Sequence, residues 1–169
     1  EKTGVGQAKQ ILDSLSIFHE RLLTPSGTCG FRITTKIHPF WNVYINGLAI
    51  GLAERLEPMR SVRAHSYRHS TEENRLFLRE HSWYSYKQAT LQEPMLENNS
   101  AVVVQTDISG FYEHIYHHRL ENLIGDLSDS KSTVATQIDR IFNQMSAGRS
   151  FGLPVGGQCS RVLAEVLMN

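Results

Sequence analysis

Asp107 lies near the end of the run Val102-Val-Val-Gln-Thr-Asp-Ile-Ser-Gly-Phe-Tyr112. Three valines in a row predict a strand over Ala101–Ile108 that is buried on both faces. Gly110 breaks it. An aspartate at a strand exit has two roles open to it. It caps the next helix, or it turns to a cleft and holds a divalent cation. Magnesium suits such a position, because it takes oxygen ligands and leaves places for phosphates. A second segment, Phe151-Gly-Leu-Pro-Val-Gly-Gly-Gln-Cys-Ser160, sets two glycines between a proline turn and a helix start. It is either a plain tight turn or a loop whose backbone approaches an anion. No Gly-Lys-Ser/Thr follows, so it is not a P-loop.

Other chemistry-bearing side chains are less pointed. His114, His117 and His118 fall at helical spacing without a cysteine partner, and read as a solvated and packing face. Cys29 and Cys159 fit no zinc spacing. Phe77, Trp83, Tyr84 and Tyr86 pack a core or stack on bases.

The elements that must carry these residues follow from periodicity. Ile11, Leu12, Leu15, Phe18, Leu22 and Leu23 predict a helix over 5–23, stopped by Thr24-Pro25-Ser26-Gly27. Residues 28–36 are a loop or short strand. His38-Pro39 opens a helix that Pro58 closes, with Pro39 in its first turn. Residues 61–68 predict a short strand. Ser70-Thr71-Glu72-Glu73 predicts a helix start and a helix reaching Thr90. Residues 93–100 predict a linker and the best internal boundary, 113–124 and 132–146 two helices, and Gln158 onward a last helix. The fold class expected is α+β, mostly helical.

Lys plus Arg and Asp plus Glu are equal at 17 each. The balance removes a large basic excess as an argument for a nucleic-acid partner. Hydrophobic residues are 40% of the chain, an ordinary globular share. No apolar run approaches the roughly 18 residues of a membrane span, so no membrane partner is expected. Cysteine usage points to a reducing cytoplasm.

Taken together, the two informative segments resemble a known family. Asp107-Ile-Ser-Gly-Phe-Tyr112, followed by Ile115, His118 and Leu120, looks like motif A of reverse transcriptases. Phe151-Gly-Leu-Pro-Val-Gly156, with Ser160 and Leu163-Ala-Glu165, looks like motif B. Order and separation match as well. The wording is most similar to the bacterial enzymes of antiphage defence and abortive infection, and to retron enzymes. His38-Pro39-Phe40 and Ser66-Tyr67-Arg68 are similar to their fingers. The resemblance covers about 40–169.

The resemblance implies a right-hand polymerase, with helical fingers over 1–95 and the first part of a palm over 96–169. It implies RNA-directed DNA polymerase activity with two Mg2+ ions, an RNA template, a DNA or protein primer and deoxynucleoside triphosphates. Asp107, with the Ile108 carbonyl, falls on the metal site. Gly110 and Phe111 match amides that hold a triphosphate. Tyr112 matches the gate that rejects a 2′-hydroxyl, with a core aromatic as its alternative. Arg68, then Arg63, is the fingers candidate for the triphosphate, against a role as a solvated surface arginine. Pro154, Val155, Gly156 and Gly157 match the loop beside template and primer. Val155 stands where retroviral enzymes carry glutamine, and Gly157 where defence enzymes often carry proline. The Tyr/Phe-x-Asp-Asp of motif C is not in the sequence. A fragment inactive by itself is therefore expected, with exposed apolar surface where further palm strands pair. Template-independent or protein-primed polymerisation, and a non-catalytic nucleic-acid scaffold, are the alternative functions.

Overall fold

The computed structural model describes residues 10, 14–72, 74–97, 101–128 and 133–169. Strands β1 (His19–Ser26) and β2 (Gly30–Ile37) form an antiparallel hairpin, with His19 opposite Ile37 and Ser26 opposite Gly30. Gly27 makes its turn possible at φ +66°. The hairpin corrects the helix expected over 5–23. Leu22 and Leu23 satisfy helical spacing, but Ile33-Thr-Thr-Lys-Ile37 is a β-branched partner that pairs with them. Of the remainder of that expected helix, Gln10 and Ser14 are helical, and 5–9 and 11–13 lie outside the described residues. The main-chain N–H of His38 donates to Phe18 O at 3.0 Å and closes the hairpin base.

Helix α1 (Pro39–Leu56) begins where the sequence predicts. Pro39 occupies its first turn and the His38 ring accepts from the Phe40 N–H. Trp41, Ile45, Ala49, Leu52, Ala53 and Leu56 form its buried stripe. A 3₁₀ turn, Glu57–Met59, follows. Residues 61–68 form turns and bends, not the expected strand. Their alternating residues have no partner strand, and arginine side chains tie the loop together instead. The helix expected from Ser70 begins only at Ser82. There Ser82 and Ser85 make a reciprocal capping box for α2 (Trp83–Leu91).

Residues 101–108 form neither helix nor strand. Val102, Val103 and Val104 are 86%, 60% and 79% exposed, against the expectation of a strand buried on both faces. Valine selects the extended backbone; burial needs neighbouring strands, and the described residues supply none. A 3₁₀ turn at Phe111–His114 precedes α3 (His117–Leu127), so that helix starts later than predicted. Helices α4 (Thr133–Met145) and α5 (Gln158–Met168) follow.

Helix α1 packs on α5 and α3, and α3 on α4 and α5. The core joins Ile45, Leu52, Ile115, Leu120, Ile124, Phe142 and Leu163, so residues on both sides of position 95 share it. Polar ties cross the same seam. Asn46 Oδ1 accepts from the Cys159 N–H at 3.2 Å, and the Tyr44 hydroxyl donates to Gln137 Oε1 at 2.7 Å. Among the described residues the architecture is α+β, with helix predominant over a small two-stranded sheet. Among the described residues no helix is long and apolar enough to cross a membrane.

Candidate active site

The Asp107 segment and the glycine loop meet through main-chain hydrogen bonds. Leu153 N–H donates to Tyr112 O, Gly152 N–H to Ile115 O and His117 N–H to Ser150 O, each at 2.8 Å. Tyr116 and Phe151 form an antiparallel bridge between them. His117 adds a side-chain tie. Its Nε2 lies 2.7 Å from Gly152 O, and since a carbonyl only accepts, that nitrogen carries the proton. The ring is buried, and its Nδ1 has no partner among the described residues.

Gly110 sits at φ +60°, leading the chain into the 3₁₀ turn. Its carbonyl accepts from the Glu113 N–H at 2.9 Å and from His114 Nδ1 at 2.8 Å. In the glycine loop, the Ser160 hydroxyl donates to Pro154 O at 2.6 Å. Thr35 N–H donates to Val155 O at 2.8 Å, which binds the hairpin to the loop. Gly156, at φ +114°, lies against Thr34, where an added Cβ would touch at 3.7 Å.

These contacts frame a cleft of about 720 Å³. Asp107, Ile108, Gly110, Phe111 and Tyr112 line one part, and Val155, Arg32, Tyr67 and Glu165 the rest. Asp107 is exposed, with no hydrogen-bond or ion-pair partner among the described residues. The hairpin's other side faces a smaller cleft of about 380 Å³, which Arg21, Arg149, Pro154 and Val155 help to line.

Arg68 and Arg63 lie outside the larger cleft. Arg68 Nε is 2.5 Å from Glu57 Oε1, and its Nη1 donates to Ser61 O at 2.7 Å. Arg63 is exposed and 3.9 Å from Glu93. Arg32 is the arginine at the cleft wall, and the sequence reading passed over it. Its signal was the hairpin itself: a Pro-Ser-Gly turn between two runs that can pair. Gly157 stands at the N-terminus of α5, away from both clefts.

Glu165 and Tyr67 also went unassigned. The buried Arg60 guanidinium pairs with Glu165 and lies 3.7 Å from Glu57. Ser66 donates to Glu165 Oε1 at 2.8 Å. Burial raises the Glu165 carboxyl above its ordinary range, although Ser66 and Arg60 oppose the rise. Burial pushes the Tyr112 phenol up to about 12, with further increments from Tyr67 and Glu165 against the opposing charge of Arg161.

No protein-family model, curated protein or solved structure matches the chain.

The site's donors are oxygens. One partner-free carboxylate beside the Ile108 main chain fits a hard cation that keeps water and phosphate ligands. Among the described residues no cluster of three His, Cys, Asp or Glu side chains is placed to hold a metal by itself. His114, His117 and His118 do not converge, since each turns to a different partner: Gly110 O, Gly152 O and Glu121.

Proposed function

We propose that the chain forms the fingers and part of the palm of an RNA-directed DNA polymerase of the bacterial antiphage-defence kind. One observation carries the proposal: the two motif-like segments, far apart in sequence, are hydrogen-bonded into one cleft that presents Asp107, Gly110 and Tyr112 together. In this reading Asp107 and the Ile108 carbonyl hold Mg2+. That ion supplies charge neutralisation at the transferring phosphoryl group. The Gly110 and Phe111 amides receive triphosphate oxygens, and Arg32 offers them a guanidinium from the hairpin. Tyr112 lies under the sugar and clashes with a 2′-hydroxyl. The loop from Pro154 to Val155 faces template or primer, and the neighbouring Arg21 and Arg149 are suited to its phosphates.

Two-metal transfer also needs a second carboxylate pair, and the sequence contains no Asp-Asp. A polypeptide that joins this chain to such a pair is expected to extend a DNA primer on an RNA template with Mg2+ and deoxynucleotides. Asp107→Asn lowers that extension by about 10³-fold or more. The 169-residue chain without the pair incorporates nothing. Metal-dependent incorporation by this chain alone contradicts the proposal, as does full extension by the Asp107→Asn polypeptide.

A further inference from the structure

The smaller cleft, of about 380 Å³, opens on the side of the hairpin away from Asp107. Its charged groups come from three parts of the chain. On β1, His19 and Arg21 share one face, because alternate residues of a strand point the same way. The register sets Arg21 opposite Thr35, whose N–H is bonded to Val155 O at 2.8 Å, so the hairpin carries Arg21 to the glycine loop. Arg149 follows α4 in a turn that Ser146 closes, its hydroxyl donating to Arg149 O at 2.7 Å. Glu113 and His114 come from the 3₁₀ turn. His114 is held by its bond to Gly110 O, and His19 Nδ1 lies 3.1 Å from Ile17 O.

Two features set this cleft apart. Arg60, Arg63, Arg68 and Arg75 each pair with a carboxylate. The guanidiniums of Arg21 and Arg149 are exposed and have no hydrogen-bond or ion-pair partner among the described residues. Glu113 is the one carboxylate among the residues that line the cleft with them. The second feature is Phe151, half-exposed on the same wall, with its backbone fixed by the bridge to Tyr116. Unpaired guanidiniums beside an aromatic ring in water suit a single nucleic-acid strand, whose phosphates meet the cations while a base stacks on the ring. A free phosphate has no use for the ring. We propose that Arg21, Arg149 and Phe151 form a second site, which binds a single-stranded nucleic-acid segment through its backbone phosphates and one stacked base. That the strand is template or primer rests on the polymerase reading above; the contacts rest on this cleft. Binding here calls for no Mg2+, since both cations are side chains.

Fluorescence anisotropy of a short labelled oligouridylate, titrated with the 169-residue chain in EDTA, reads this site apart from the metal-dependent one. Arg21→Ala and Arg149→Ala are each expected to weaken binding about tenfold. Each also lowers the slope of log affinity against log salt by about 0.7, the share of one phosphate on a single strand. Both side chains are exposed, so neither truncation opens the core. Arg21→Lys restores the slope and regains part of the affinity, because it keeps the charge and loses the fork. Phe151→Leu keeps an apolar side chain and removes the ring face; it weakens binding about tenfold and leaves the slope as it was. An oligomer with the same backbone and no bases binds the unaltered chain as weakly as the oligouridylate binds Phe151→Leu.

Unchanged affinity and salt slope in the two alanine variants overturn the site. Equal binding of the two oligomers, with Phe151→Leu without effect, overturns the strand in favour of phosphate alone. Displacement by polyglutamate as readily as by unlabelled oligouridylate overturns it in favour of an acidic peptide. No binding of the oligouridylate by the unaltered chain overturns the inference, while dATP with Mg2+ at the larger cleft still decides the nucleotide site. Strand binding with the expected losses, in a chain that takes no dATP with Mg2+, supports this site and overturns the polymerase reading.

Discussion

Tyr112 and Asp107 are the residues on which the chemistry turns, and they differ in environment. Tyr112 is half-buried, with its phenol lifted to about 12 chiefly by burial. The folded form therefore keeps its proton to higher pH than the unfolded form, near 10. Its share of stability is intact below pH 10 and is lost as pH rises from 10 through about 12. Guanidinium melts at pH 9, 10 and 11 are expected to show this decline in the unaltered chain and a shallower one in Tyr112→Phe. Tyr112→Ala is expected to raise ribonucleotide use; sugar selectivity equal to the unaltered site removes the gate role. Asp107 is exposed and unpartnered among the described residues, so Asp107→Asn leaves melting within about 0.5 kcal/mol of the parent. A change larger than that marks Asp107 as structural rather than poised for a cation.

At the scale of elements, two polar ties keep the cleft's walls in register. His117 pins α3 to the glycine loop through Gly152 O. His117→Leu leaves that carbonyl without its partner and is expected to cost about 2 kcal/mol in urea unfolding. The second tie is Arg60, buried against Glu165 and Glu57, which holds the 57–68 loop to α5. Arg60→Ala leaves Glu165 without its guanidinium, while Glu57 keeps Arg68, and is expected to cost about 3 kcal/mol. A loss under 1 kcal/mol shows that this loop is held by other contacts.

These elements were unevenly legible. Helix α1 was readable because its start signal, apolar stripe and proline stop agree. Helices α4 and α5 were readable for the same reason of clear period. The hairpin was not, because Leu22 and Leu23 fit a helix as well as a strand and the deciding partner, Ile33–Ile37, lies beyond the turn. Residues 61–68 misled through alternation: period two is necessary for a strand, but pairing makes one. The cleft was legible at Asp107, Gly110, Tyr112 and Val155, which the structure brings together. Arg32, Tyr67 and Glu165 complete its walls through tertiary packing, which leaves no local spacing to read.

The whole molecule is a helical core with one hairpin leaning on its glycine loop. Its most conspicuous apolar exposure is the run Val102–Val104. A segment outside helix and strand exchanges its amide hydrogens rapidly, while α1 and α5, packed on each other, protect theirs. Hydrogen exchange is expected to divide the chain in that way; slow exchange over 101–108 indicates that a partner strand covers it. The zero formal charge conceals an uneven surface, since Arg21 and Arg149 share one cleft and Arg32 and Asp107 the other. Charge balance across 169 residues therefore says little about what either cleft accepts. The central claim is that the larger cleft receives a deoxynucleoside triphosphate with Mg2+ at Asp107. Calorimetric titration of dATP into the chain, with and without Mg2+, tests it most directly. Binding that requires Mg2+ and falls at least about tenfold in Asp107→Asn is the expected result; metal-independent binding, or equal affinity in Asp107→Asn, contradicts it.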